Sequence, residues 1–358
     1  MLAHAIAKLF TDFVICGMTL TNILADVNLA QLPRDLDVLE VFTVAKSVAS
    51  AAEESGYRSD VFDYLNEDQH DVTGPKGFQQ ALALIMRVRE GGLLVLAPEC
   101  KTFSFACMAV TGRNRFCYGG DTTKPFVQKG NALARTAWMF FLVGVARGLH
   151  VCLENPSGSM LFSFLQSYVN RLSDGLQSLW PLTPRPTDLQ SSSAVDPQLQ
   201  AAFLADRPDM KVFYVDRCAY EDKRPTFKKK YKFLCSSQWF SAAVRTCSCS
   251  NGFHEKLMTE VVREDGTVSK TGTSHLTSSG FYPKALGLAI VQAWKQHCEA
   301  PPAARQTRLL PFDRDPKQMM LQTLGEILKT LGPLLLGQAE KPSKRSIGSV
   351  LQVLGSKF

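Results

Sequence analysis

No apolar run in this chain approaches the roughly 20 residues that a bilayer-spanning helix needs. Runs such as Phe140–Val145 and Leu93–Pro98 stop far short, so no membrane partner is expected. No sign of charge dominates either: 40 Lys+Arg against 33 Asp+Glu leave a net charge of +7, which permits a polyanionic partner without requiring one. There is no cysteine framework. The ten cysteines are scattered from Cys16 to Cys298, a pattern of reduced intracellular thiols rather than a disulfide scaffold, with nucleus and cytoplasm both open. The opening residues lack an Ala-x-Ala cleavage pattern and carry Lys8 and Asp12 within their apolar stretch, so no secretory signal is expected. No internal repeat is visible, and no glycine occurs between Gly17 and Gly56.

What the chain does have is 45% hydrophobic and 20% charged residues over 358 positions, enough to bury a large core. Leu2, Ile6, Leu9, Phe10 and Phe13 recur at helical spacing and predict an amphipathic N-terminal helix. Asp37–Phe42 reads as a buried strand, Val44–Ser55 as an Ala-rich helix closed by Gly56, and Ser59–Phe62 as a second strand ending at Asp63. Phe78–Val88 is a helix, Gly91-Gly92 a break, and Leu93–Leu96 a third strand; helix Asn131–Arg147 then precedes strand His150–Leu153. Strands alternating with helices of this length imply βαβ units. The expected fold is α/β, a doubly wound, mostly parallel sheet with a C-terminal antiparallel hairpin (Met210–Val215 with Tyr231–Leu234) and helical appendages. The expected divisions are a helical extension (1–34), the α/β domain (35–170), a Pro/Ser-rich linker or loop (171–209), a basic hairpin with a closing helix from Tyr282-Pro283 to Trp294 (210–300), and a C-terminal helix on Met320, Leu324, Ile327 and Leu331 with a flexible tail (301–358).

In an open parallel sheet ligands bind beyond the carboxyl ends of the strands. Those ends here read Phe42-Thr43-Val44-Ala45-Lys46-Ser47, then Asp63 with His70-Asp71-Val72-Thr73 beyond it, then Ala97-Pro98-Glu99-Cys100, then Glu154-Asn155-Pro156. This series, over roughly residues 36–160, resembles the cytosine-C5 DNA methyltransferases and their divergent relatives, with a weaker echo at Lys228–Leu234 and Tyr282–Trp294. The resemblance implies a Rossmann-like methyltransferase domain binding S-adenosylmethionine at the first three strand ends, through Phe42, Thr43, Asp63, Asp71 and Pro98. Asp63 would accept from the ribose hydroxyls and Asp71 from the adenine amino group. Cys100 would be the nucleophile that adds to C6 of a target cytosine, and Glu154 its acidic partner at N3. The base must be flipped out of a duplex or already single-stranded. Two departures stand beside the matches: Thr43–Ser47 has no glycine where the family's loop is glycine-rich, and Glu99 stands where the family has proline before the nucleophile.

Nucleic acid is the implied substrate class. Arg113, Arg115 and Lys124 lie in the basic loop after Cys100, and Lys228 and Lys230, with Lys223, Arg224, Lys229 and Lys232, mark the hairpin as a candidate phosphate track. The short stretch between hairpin and closing helix leaves little room for a target-recognition domain, so sequence-specific readout is not expected. Other readings remain open. Cys100 also reads simply as a small buried thiol at a strand end. The fold could also serve as a catalytically inactive nucleic-acid-binding or scaffold module, or methylate a small molecule or protein. Cys247-x-Cys249 followed by His254, with Cys218 or Cys235, offers zinc-type ligands, but the spacing is not C-x-x-C with a distant matching pair, and no metal is assigned.

Overall fold

Six strands form one mixed sheet in the computed structural model of the chain, which describes residues 32–43, 45–65, 68–168, 210–221, 227–250, 254–262, 264, 266, 268–273 and 279–300. They are β1 (Leu36–Val41), β2 (Ser59–Phe62), β3 (Val88–Leu96), β4 (His150–Pro156), β5 (Lys211–Asp216) and β6 (Lys230–Cys235). Their spatial order is β2-β1-β3-β4-β6-β5. The first four run parallel; β6 is antiparallel to both β4 and β5. The basic hairpin therefore continues the sheet at the β4 edge. The principal helices are α1 (Ser47–Glu54), α2 (Pro75–Arg87), α3 (Pro125–Ala146) and α4 (Lys284–Glu299). A separate ribbon pairs β7 (Met258–Val262) with β8 (Val268–Gly272), which the sequence pattern did not announce. The expected N-terminal helix, the Pro/Ser-rich linker, the helix on Met320–Leu331, and Lys223 and Arg224 lie outside the described residues.

Strand alternation assigns the helices to faces. Val38, Leu93, Val95 and Cys152 share a buried cluster with α1, α4 and the turn holding Trp239 and Phe240. The intervening residues point the other way: a Cβ on Gly144 of α3 would meet Leu94 and Val151, and α3 stacks Phe140 on Phe78 of α2. With both faces covered, β1, β3 and β4 carry near-continuous apolar runs. No helix among the described residues is long and apolar enough to cross a membrane.

Several boundaries move for local reasons. Helix α1 starts at Ser47 rather than Val44, because Lys46 sits in the left-handed region at φ 50° and cannot continue a helix. Gly56 closes it as expected, at φ 83°. Both α2 and α3 begin earlier, each with proline in the tolerated first turn. Gly91-Gly92 does not precede β3 but lies inside it. Gly91 has φ 71° and a Cβ on Gly92 would stand 2.8 Å from the Asp37 carbonyl oxygen, so the pair makes a bulge where the β1–β3 register shifts.

Candidate functional site

The strand ends lie in register. Val41 pairs with Phe62 on one side and with Leu96 on the other, and Leu96 pairs with Leu153. The next residues, Asp63, Phe42, Ala97 and Glu154, therefore form a row along one rim of the sheet. Asp63 and Glu154 are three strand spacings apart, about 14 Å at roughly 4.8 Å each. They stand at opposite ends of this row rather than around one point.

Cys100 and Glu154 lie near enough to feel each other's charge, and both feel the Lys229 ammonium. Glu154 is 6% exposed; its Oε2 accepts from the Tyr282 hydroxyl at 2.8 Å and its Oε1 has no hydrogen-bond partner. Burial pushes its carboxyl up to about 7, against the opposing pull of the Lys229 ammonium and the Tyr282 bond. Burial likewise raises the Cys100 thiol; Lys229 pulls it down, while Glu154 and Glu99 push it further up. Burial lowers the Lys229 ammonium, which Glu154 and Cys100 favour in its charged form. Lys229 Nζ donates to the Ser279 carbonyl at 2.7 Å. That carbonyl also accepts from Arg217, whose guanidinium bonds the Tyr231 hydroxyl and the Phe281 carbonyl. Asn155, wholly buried, donates from Nδ2 to the Pro98 carbonyl at 2.8 Å and so ties the Cys100 turn to the end of β4.

The loop after β1 is organised by a residue that sequence reasoning passed over. Glu40, 0% exposed, accepts from the Val48 and Ala49 amides at the start of α1 and from the Thr43 hydroxyl. A strand carboxylate thus caps the following helix and fills its positive end. Thr43 turns its hydroxyl inward to Glu40 and accepts from the Lys46 amide, so it faces the loop and not a ligand. Phe42 and Lys46 both take left-handed backbone, at φ 63° and 50°. The glycine-free loop therefore has conformations usually left to glycine. At Phe42 this turns the ring off the strand's alternation, to stack on Phe140 of α3 at 6.4 Å.

Of the other expected ligands, Asp63 is 5% exposed, with burial raising its carboxyl; Oδ1 accepts from the Leu65 amide at 2.7 Å, leaving Oδ2 as an acceptor. Asp71 is already committed: Oδ1 accepts from the Thr73 amide and hydroxyl, and Oδ2 pairs with Lys129 at 2.8 Å. Its expected role toward adenine is corrected, since Oδ1 serves the local turn and Oδ2 is held by Lys129 of α3. Pro98 contributes a buried carbonyl anchor.

Arg113 is also corrected. It is 1% exposed, lies 3.8 Å over the Phe103 ring, and spends its guanidinium on the Thr102 and Tyr118 carbonyls, so it cannot meet a phosphate. Arg115 is exposed beside Phe116, which is itself 84% exposed. Lys124 donates to the Val110 carbonyl at 2.7 Å and pairs with Asp121. Lys228 and Lys230 are exposed, Lys230 at 3.7 Å from Asp216. Lys229, read as one of a solvated or phosphate-facing row, instead points into the site. Strand alternation between Lys228, Lys229 and Lys230 is the signal that could have singled it out.

No protein-family model matches this chain, and no curated protein sequence matches it either.

Proposed function

We propose that this chain is a divergent S-adenosylmethionine-dependent methyltransferase of doubly wound, Rossmann-like architecture, acting at cytosine C5 in nucleic acid. The observation that supports it most is the grouping of Cys100, Glu154 and Lys229, with an unpartnered, buried carboxyl oxygen on Glu154. A carboxyl group with its pKa near 7 is a proton donor at neutral pH, and an orphaned buried oxygen is costly unless a ligand meets it. The strand order, with one antiparallel strand inserted beside β4, is compatible with this architecture.

Each residue then has a task. The Cys100 thiolate, favoured by the nearby Lys229 cation, adds to C6 of the pyrimidine. Glu154 in its acid form hydrogen-bonds or protonates N3, so that electron density gathers at C5. Tyr282 and Asn155 hold the acid and the Cys100 turn in place. Once C5 carries the methyl group, transfer of the C5 proton to water, expulsion of the Cys100 thiolate and return of the N3 proton to Glu154 restore the aromatic ring and the free enzyme. S-adenosylmethionine supplies the electrophilic methyl group when bound. The residues fit it at the ribose, where Asp63 retains Oδ2, while the Phe42–Ser47 loop provides the close turn; Asp71 does not fit its adenine. Exposed Phe105 and Phe116, with Arg115 and with Phe126 at the start of α3, give the segment beyond Cys100 stacking surfaces for an unpaired base.

The test is labelled methyl transfer to cytosine-containing oligonucleotides, together with calorimetric titration of the cofactor and its demethylated product. Transfer that disappears in Cys100→Ala supports the reading; no heat and no thermal shift at millimolar cofactor overturns it. A second reading, a catalytically inactive nucleic-acid-binding module, is favoured by the raised Cys100 thiol and by Thr43 turning inward. It expects salt-dependent oligonucleotide binding with no transfer, and a salt-independent affinity would sink it.

A further inference from the structure

We infer that Cys218, Cys247, Cys249 and His254 form a structural zinc site. Their four candidate ligand atoms, three Sγ and one imidazole nitrogen, all lie within 4.8 Å of one another. A tetrahedral zinc with bonds of about 2.3 Å to sulfur and about 2.0 Å to nitrogen sets ligand edges of about 3.8 Å between sulfurs and about 3.5 Å from sulfur to nitrogen. The Cys247 Sγ to His254 Nε2 distance is 3.5 Å. The set therefore needs only small side-chain adjustments to close on a metal.

Three separate stretches supply the ligands. Cys218 comes from the tight turn Arg217–Tyr220 directly after β5 and is 6% exposed. Cys247 and Cys249 come from a stretch, 244–250, with no helix or strand, and both thiols lie with the Cys218 Sγ and the His254 ring. His254 lies just before the isolated bridge that joins Glu255 to Phe227. This is why spacing alone concealed the site: the fourth ligand is supplied by the fold, whereas Cys235, the other partner weighed, is buried opposite Cys152 in the β4–β6 register.

Support for the ligands is also in place. Asp216 Oδ2 accepts from the Cys247 amide at 2.9 Å, and the Asp216 amide donates to the Arg245 carbonyl at 3.0 Å, so the end of β5 orients the Cys-x-Cys stretch. An irregular stretch with no helix or strand of its own gains from a metal staple. Cys247, Cys249 and His254 line an open hollow of about 410 Å³, which gives an ion its entry path. Four protein donors leave no open coordination position, which marks a structural rather than catalytic centre. A set of three thiolates and one imidazole suits zinc above harder cations. The staple would also brace Arg217, the neighbour of Cys218, which holds the Ser279 and Phe281 carbonyls beside Lys229.

The test is metal analysis of the full chain, produced with zinc present and purified under reducing conditions without chelating resin. The expected result is about one zinc per chain, with chelator treatment lowering the thermal midpoint. Replacement by cobalt should give the intense visible bands of a tetrahedral, thiolate-rich centre. Cys249→Ser and His254→Ala should each weaken retention by about tenfold or more. Zinc near zero in the wild-type chain overturns the assignment, as does full retention by a Cys218→Ser/Cys249→Ser double variant. If the variants do not fold, the wild-type cobalt spectrum decides: weak octahedral bands, or a disulfide among the three cysteines, removes the site.

Discussion

Tyr282 donates its hydroxyl to Glu154 Oε2 at 2.8 Å, joining the segment that opens α4 to the rim of the sheet. The bond favours the ionised carboxylate and so opposes the upward push of burial. Tyr282→Phe should therefore raise the Glu154 carboxyl above its present value of about 7 and cost about 1–2 kcal/mol of stability. Infrared titration of the buried carboxyl band checks the direction. A lower or unchanged titration point would contradict the account.

Glu154→Gln should change how stability depends on pH. Folding raises this carboxyl from 4.5 to about 7, so the folded chain binds more protons than the unfolded chain between those values. Its contribution is fully present below about pH 4.5, is lost as pH rises through about 7, and is level above. The variant should lack that loss, gaining up to about 3 kcal/mol on the wild type between acid and mildly alkaline pH. Glu40, also raised by burial, acts alike in both proteins and cancels in the difference. Denaturant unfolding at several pH values measures it, and parallel curves for the two proteins would refute it.

Periodicity and composition made the parallel strands and their helices legible, because β1, β3 and β4 are buried on both faces and read as apolar runs between amphipathic helices. Cys100 was legible as a residue beyond a strand end, whereas Glu154, expected just past β4, lies inside it and pairs with Phe233 of β6. Their surroundings were not. Lys229 and Tyr282 reach the site only through an antiparallel strand and a helix from far along the chain, contacts that no local pattern encodes. Glu40 hid inside an apolar strand, where its carboxylate serves the next helix rather than solvent. Arg113 misled because a guanidinium in a basic loop looks exposed until Phe103 and two backbone carbonyls are seen to enclose it.

Glu40→Ala should destabilise the chain by about 2–4 kcal/mol, because it strands the buried Val48 and Ala49 amides and the Thr43 hydroxyl together. Thermal or denaturant unfolding gives the number. A loss below about 0.5 kcal/mol would mean that water takes over those donors.

If Arg115, Lys228 and Lys230 touch phosphates, replacing each by alanine should weaken oligonucleotide binding and flatten the dependence of log K on log salt by about one unit per contact. Arg113→Met should leave that slope unchanged and instead lower stability, since its cation sits against Phe103 and its donors face backbone carbonyls. Fluorescence anisotropy across a salt series separates the two kinds of arginine. A slope change in the Arg113 variant, with none in the other three, would reverse the assignment.

Lys46 tests the loop beneath the proposed cofactor site. Its left-handed backbone, at φ 50°, costs a non-glycine residue about 1 kcal/mol. Glycine removes that cost but enlarges the freedom of the unfolded chain by a similar amount. Lys46→Gly should therefore be neutral or slightly stabilising. Lys46→Val, whose branched side chain tolerates this conformation worst, should lose about 1–2 kcal/mol. Both changes spare the Lys46 amide, which donates to the Thr43 hydroxyl oxygen. Any difference between the two variants then reports backbone conformation, folded and unfolded, and not the loss of this bond. Equal stabilities would show that the loop relaxes out of the left-handed region and that its glycine-like shape is not held by the fold.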